Sequence, residues 1–313
     1  MPDLGPGEPG GRPAAGEGVP EVAARRLGSS SFSSGLSVPD FAACLQVGLR
    51  PVALVQGFCV MQWGWYGVGS PYVRGVSPFA GGSGWSGYNE SWRCPHGYVV
   101  GSGDHRVWGQ NYEQTWVEAA WAQGFGTAYA RLVDEARDAG AHGVVGVVDS
   151  VRHLAEQSVT EFHLTGTAVV AEDLDGPPGG PPFTTYLAGQ RLVKLVEAGM
   201  VPVSIVASMA SVRVWASCVT ELLTRGQSSV WGQYVGGEIE QLARAHMAAR
   251  DLAREHVRRL LATDQLFGAQ MGTSYREVGE GDEVVECTLK GTRVRRFQEF
   301  EPLPAPVPTV TLA

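Results

Sequence analysis

Internal repetition constrains this chain more than any other property of its 313 residues. The stretch SFSSGLSVPDFAACLQVGLRPVALV (Ser31 to Val55) aligns with PFTTYLAGQRLVKLVEAGMVPVSIV (Pro182 to Val206) at a constant offset of 151 residues. Phe32 falls on Phe183, Leu36 on Leu187, Gly48 on Gly199, Pro51 on Pro202 and Val52 on Val203. Further on, Val107-Trp108-Gly109-Gln110 recurs as Val230-Trp231-Gly232-Gln233 at an offset of 123, and Leu164-Thr165-Gly166-Thr167 as Leu289-Lys290-Gly291-Thr292 at 125. The drop from 151 to 123 assigns 28 extra residues to the first unit, within a Gly, Ser, Trp and Tyr-rich insert at about 64–103.

Each unit predicts the same order of elements. A short helix starts at Ser37, an N-cap residue with Pro39 in the first turn, and stops at Gly48, a residue suited to the left-handed terminator. Its counterpart spans about Ala188 to Ala198 and stops at Gly199. Strands rich in β-branched residues follow, VALVQGFCVMQW and VSIVASMASVRVW. A long helix comes next, about Tyr112 to Ala139 and Tyr234 to Ala262; in the second, Ile239, Leu242, Ala249, Leu252, Leu260 and Leu261 recur at helical spacing. A hairpin closes each unit, Val144–Ala155 with Thr160–Ala171, then Leu266–Val278 with Glu283–Phe297. The fold class is therefore α+β: two tandem β-α-β-β type units, each a long helix packed on a small antiparallel sheet. The expected boundaries are an N-terminal tail at 1–30, units at 31–171 and 183–300, a Pro/Gly linker at 172–182 and a Pro-rich tail at 301–313.

Charge and cysteine usage exclude some function classes. A net charge of -8 argues against a nucleic-acid partner, because affinity for phosphate backbones depends on a basic surface. The Gly, Pro and acid-rich first thirty residues lack the apolar core of a secretory signal, and no later segment has the length and hydropathy of a membrane span. Five cysteines without close pairing point to reduced thiols in a cytoplasmic protein.

AYARLVDEARDAGAHGVVGVVDSV (Ala128 to Val151), closed by FHLTGTAVV (Phe162 to Val170), resembles the YbjQ-like heavy-metal-binding domain family. In that family a helix ending in an ALGADAVVG-type turn leads to a strand and then to one bearing GTAV. The second unit departs from the pattern at LLATDQLFG (Leu260 to Gly268) and keeps LKGTRV. The resemblance implies rings, pentameric in the family, joined through short additional strands, and a divalent transition metal such as zinc, copper or nickel. Self-association also follows from size, since a unit of about 110 residues with a small curved sheet leaves strand edges bare.

The residues themselves offer several candidate sites. His153, His163 and Glu161 form a possible ligand set if the hairpin turn centres on Gln157 and Ser158; Tyr275 and Thr288 stand at the matching positions, so the same residues also read as a solvated polar face. Cys94, His96 and His105 lie close in sequence within the insert, as soft metal ligands, a Cys-His catalytic pair, or exposed loop residues. Trp108, Gln110, Trp231 and Gln233 read as a packing and capping motif, or with Glu113, Glu118 and Glu238 as the lining of a lumen or pocket. Gly166 and Gly291 mark the repeated GT element. The leading expectation is a non-enzymatic, ring-forming, metal-binding protein. The alternative is an oligomeric scaffold without metal that meets protein partners through the Trp-rich insert, and a third reading is a hydrolase using Cys94 and His96.

Overall fold

A computed structural model describes residues 33–62, 109–154, 159–172, 179–224, 237–277 and 283–297. The elements in chain order are α1 (Val38–Gln46), β1 (Leu49–Gln62), β2 (Asn111–Glu113), α2 (Thr115–Asp138), β3 (Gly143–Leu154), β4 (Val159–Ala171), β5 (Phe183–Thr184), α3 (Gly189–Glu197), β6 (Met200–Val214), α4 (Cys218–Thr224), α5 (Glu240–Leu261), β7 (Gln265–Glu277) and β8 (Glu283–Arg296). The α+β class holds, with two four-stranded sheets ordered β1-β4-β3-β5 and β2-β6-β8-β7.

Local chemistry explains the helix ends. Ser37 caps α1 by accepting from the Asp40 amide at 3.3 Å, and the chain leaves α1 and α3 through Gly48 (φ 69°) and Gly199 (φ 70°). The long helix begins at Thr115, with Gln114 rather than Gln110 at the N-cap. Gln110 is exposed, and its carbonyl accepts from the Trp215 amide at 2.9 Å.

Both sheets carry the same irregularities. β1 and β4 slip register between Pro51 and Ala53, and β6 and β8 slip between Pro202 and Ser204. β3 bulges between Val145 and Val148 and β7 between Phe267 and Gln270, each through a glycine at positive φ, Gly146 and Gly268. The repeated GT element belongs to these bulges. A Cβ at Gly166 would lie 2.5 Å from Val144 and one at Gly291 2.7 Å from Leu266, so glycine lets the bulged strand close over it.

The following threonine ties down the segment that leads into each half. Thr167 Oγ1 accepts from the Gly35 amide at 3.1 Å and lies 3.3 Å from Ser34 Oγ. Thr292 Oγ1 accepts from the Tyr186 amide at 3.1 Å and lies 3.0 Å from Thr185 Oγ1.

Helix α2 lies on the β1/β4 face, with Val117, Trp121, Phe125, Ala128 and Leu132 packed on Val55, Cys59, Phe162 and Leu164. Two glycines allow the approach: a Cβ at Gly57 would sit 1.9 Å from the Ala128 carbonyl oxygen, and one at Gly124 2.3 Å from the Phe162 ring. Helix α5 lies on the second sheet through a stripe of small residues, Ala245, Ala249, Ala253 and Val257, against Val206, Ala210 and Val285.

Candidate functional site: a buried junction and two open ends

The halves exchange strands. β2, from the first half, adds to the β6 edge with Asn111 opposite Val214; β5, from the second, adds parallel to the β3 edge with Thr184 opposite Val144. The lead-in segment continues that pairing past β5. Thr185 donates its amide to the Val144 carbonyl at 2.9 Å and accepts from the Val147 amide at 3.0 Å, while the Gly146 amide donates to the Leu187 carbonyl at 3.0 Å.

Helix α2 reaches beyond its own sheet as well. Ile205 and Met209 of β6 belong to the cluster built around Trp121 and Phe125, so β6 is buried by α5 on one face and by α2 on the other. A third cluster spans the junction, joining Cys44, Val145 and Val169 to Leu187, Leu192, Leu195, Met200 and Val294.

Several polar groups pair across this junction. Lys290 Nζ donates to Asp149 Oδ1 at 2.7 Å and sits 5.5 Å from the Tyr186 ring centre. Thr184 Oγ1 accepts from the Ile205 amide at 2.8 Å and lies 3.1 Å from the Tyr129 hydroxyl. Glu118 Oε1 accepts from the Ser211 amide at 2.9 Å, and His256 Nε2 stands 3.6 Å from Glu113 and 3.9 Å from Glu118. Burial is the main reason the Glu118 carboxyl is pushed up to about 7; the Glu113 carboxyl beside it adds to the rise and the Ser211 amide opposes it.

The sequence brings out Glu113 and Glu118 as neighbours of the Trp-Gly-Gln element, but not His256. No local signal marks it, because β2, α2 and α5 meet only when the halves dock.

At the two far ends nothing among the described residues plays these parts. β7 forms the outer edge of its sheet, and its residues Phe267, Met271 and Tyr275 are exposed. β1 forms the outer edge of the other sheet, and the face it turns away from α2 exposes Phe58 and Val60. A shallow depression of about 210 Å³ on this face is lined by Phe58, Ser150, Arg152, Glu161 and His163.

The hairpin register corrects the expected histidine set. His163 pairs with Ser150 and Glu161 with Arg152, whereas His153 pairs with Thr160. In this register His153 shares a face with Thr160 and Phe162, and His163, an odd number of positions along β4 from Thr160, lies on the opposite face; a turn centred on Gln157 and Ser158 would have set His153 against Phe162, on that same face. His163 Nε2 instead lies 3.2 Å from Gln56 Oε1, and His153 Nδ1 lies 3.0 Å from Thr160 Oγ1. Cys94, His96, His105, Trp108, Trp231 and Gln233 lie outside the described residues, as does the insert at 64–103. Cys44, Cys59 and Cys287 are buried free thiols, and burial pushes each thiol pKa up, away from the reactive thiolate. No helix among the described residues is long and apolar enough to cross a membrane.

These features define a class, a duplicated helix-on-sheet protein with one buried junction and two unsatisfied ends. The chain is similar to the encapsulin nanocompartment protein Rv1762c of Mycobacterium tuberculosis (strain ATCC 25618 / H37Rv), 28% identical over 285 residues, which covers 88% of this chain and 90% of that protein. No family model matches the sequence, and no solved structure matches it. The end-to-end similarity overturns the YbjQ-like resemblance and, with it, the heavy-metal function that rested on the resemblance. The residues that suggested the family, the helix end and the GT strand, are explained by packing: Gly140 (φ 67°) turns the chain out of α2, and Gly166 makes room for the β3 bulge.

Proposed function

We propose that this protein is a non-enzymatic, self-assembling scaffold, a subunit of a cytoplasmic protein compartment. The observation that supports this reading most is the uncovered apolar surface at opposite ends of one chain: Phe58 and Val60 on β1, and Phe267, Met271 and Tyr275 on β7. Aromatic and β-branched side chains exposed along free sheet edges are an aggregation hazard in a monomer, and regular assembly removes it. The similarity to an encapsulin nanocompartment protein over nearly the whole length of both chains points the same way. A net charge of -8 favours the solubility of such a particle.

The test is the mass of the untagged full chain at micromolar concentration, by light scattering after size exclusion and by negative-stain microscopy. Uniform particles many times the 33.3 kDa chain are expected. A monodisperse 33.3 kDa species up to about 50 micromolar, well above the affinity range of stable assemblies, would rule the reading out.

A further inference from the structure

The internal junction joins two halves built to one plan. Positions in the two halves correspond through the shared bulges, at an offset of 151 for β1 and β6 and of 122 for β3 and β7. Every surface that one half presents to the other therefore has a counterpart on the far side of the molecule.

These counterparts are bare. Val145 of β3 is buried with Leu187 of the lead-in segment, and Val147 is buried in the cluster on which Tyr186 packs, whereas Phe267 and Ala269, which match Val145 and Val147, are exposed. Thr184, Thr185 and Leu187 of that lead-in are buried, whereas Ser33, which matches Thr184, is exposed and Ser34 and Leu36 are partly so. Met209 is 5% exposed beneath α2, whereas Phe58, its match on β1, is 46% exposed. Ser211 is fully buried and its match Val60 is exposed.

Two separate surfaces thus lack the same neighbour in the same orientation. The lead-in 33–36 is tied to Thr167 by the same two contacts, one hydroxyl and the following amide, by which Thr292 ties down 185–186.

We infer that the β7 edge of one copy receives the segment 33–36 of a second copy, head to tail, while α5 of the first copy covers the outer face of β1 in the second. This rests on the self-assembly reading and specifies its geometry. The register follows from the internal junction: Ser33 opposite Leu266, the Ser34 amide donating to the Leu266 carbonyl, the Ala269 amide to Ser34, and the Gly268 amide to Leu36. Because the two contacting surfaces differ, the contact is heterologous, and each added copy leaves one fresh β7 edge and one fresh β1 face until the array closes.

The test uses the full chain with Ser33→Cys and Leu266→Cys, singly and together, and the parent chain as a blank for its native thiols. Parallel partners at this register lie within disulfide range. After mild oxidation of assembled protein, the double variant gives a covalent ladder on a denaturing gel. A mixture of the two single variants gives a dimer and nothing larger. Particles of normal mass with no ladder would overturn the head-to-tail pairing and leave self-assembly standing, whereas a monomeric parent chain would remove both. A dimer from Ser33→Cys alone would also overturn the pairing, since it would make the interface symmetric. Independently, Phe58→Lys is expected to lower the assembled fraction at least tenfold with an unchanged circular dichroism spectrum; undiminished particles would count against the covered β1 face.

Discussion

Met209 and Phe58 occupy the same register position in two sheets built to one plan, yet one is 5% exposed and the other 46%. The strands do not explain the difference, for both are long, antiparallel and broken by the same Pro-associated slip. What differs is the neighbour. β6 has helices on both faces because the first half docks on it, and among the described residues β1 has a helix on one. Within the chain the second sheet is finished by the first half, and among the described residues nothing does the same for the first sheet.

The sharpest way to break this comparison is to truncate both side chains. Met209→Ala should cost about 3 kcal/mol in urea unfolding of the single chain at low concentration, the usual range for a buried Met reduced to Ala. Phe58→Ala should move the same curve by less than about 0.5 kcal/mol, as exposed positions do. Its effect should appear in the mass distribution of the assembled protein. Equal costs in the single chain would show that Phe58 is already covered, and the two ends would no longer be distinct.

A second contrast tests how each long helix meets its own sheet. Gly57 and Ser208 match at offset 151, and both face the helix of their own half. A Cβ at Gly57 would meet the Ala128 carbonyl oxygen at 1.9 Å, so α2 rests on bare backbone there, while Ser208 has room for a side chain under α5. Gly57→Ser, which only copies the other half, should cost about 2 to 3 kcal/mol by overpacking. Ser208→Gly should cost about 1 kcal/mol through backbone entropy in a strand. A thermal melt separates the two, and a neutral Gly57→Ser would mean that α2 can lift off β1 freely.

Much of this fold was legible in the chain because its signals are local. Ser37, Gly48 and Gly199 act over one helical turn, and the repeat offsets located both hairpins to within a residue or two. The hairpin register was less legible, because the residues between β3 and β4 carry no strong turn signature: the pairing moves His153 from Phe162 to Thr160, and in either register it opposes an even-numbered residue and cannot share a face with His163. The strand exchange was hidden for a different reason. β2 and β5 are three and two residues long, too short for any periodicity to show, and their partners lie far away in sequence. The family resemblance misled because it rested on glycines whose role, clearance for a bulge and a left-handed turn, is shared by any fold that needs them.

The paired threonines give a smaller effect that sharpens the comparison. Thr292 is fully buried, and removing its hydroxyl strands the Tyr186 amide at the internal junction and leaves the Thr185 hydroxyl with the Leu187 amide alone. Thr292→Val should cost about 2 kcal/mol, the range for an orphaned buried donor. Thr167→Val affects Gly35 and Ser34, which water reaches in the single chain, so about 1 kcal/mol or less is expected there. In assembled protein the two costs should converge as segment 33–36 becomes buried; costs that stay apart would argue that this segment remains wet.

The smallest expected effect is a dependence on pH that belongs to the closed junction. Glu118 is held at about 7, chiefly by burial, with Glu113 of β2 and His256 of α5 facing it and the Ser211 amide of β6 on its other oxygen. Its folded pKa is raised above the ordinary 4.5, so the folded chain binds this proton more tightly than the unfolded chain does. The resulting stabilisation is fully present below about pH 4.5 and is lost as pH rises through about 7. Melting temperature at fixed low protein concentration should therefore contain a component that falls between pH 5.5 and 8, and Glu118→Gln should flatten it while keeping the Ser211 contact. If the variant retains the full slope, the proton is held elsewhere, and the junction is closed by packing and by the Lys290 to Asp149 pair without help from this carboxyl.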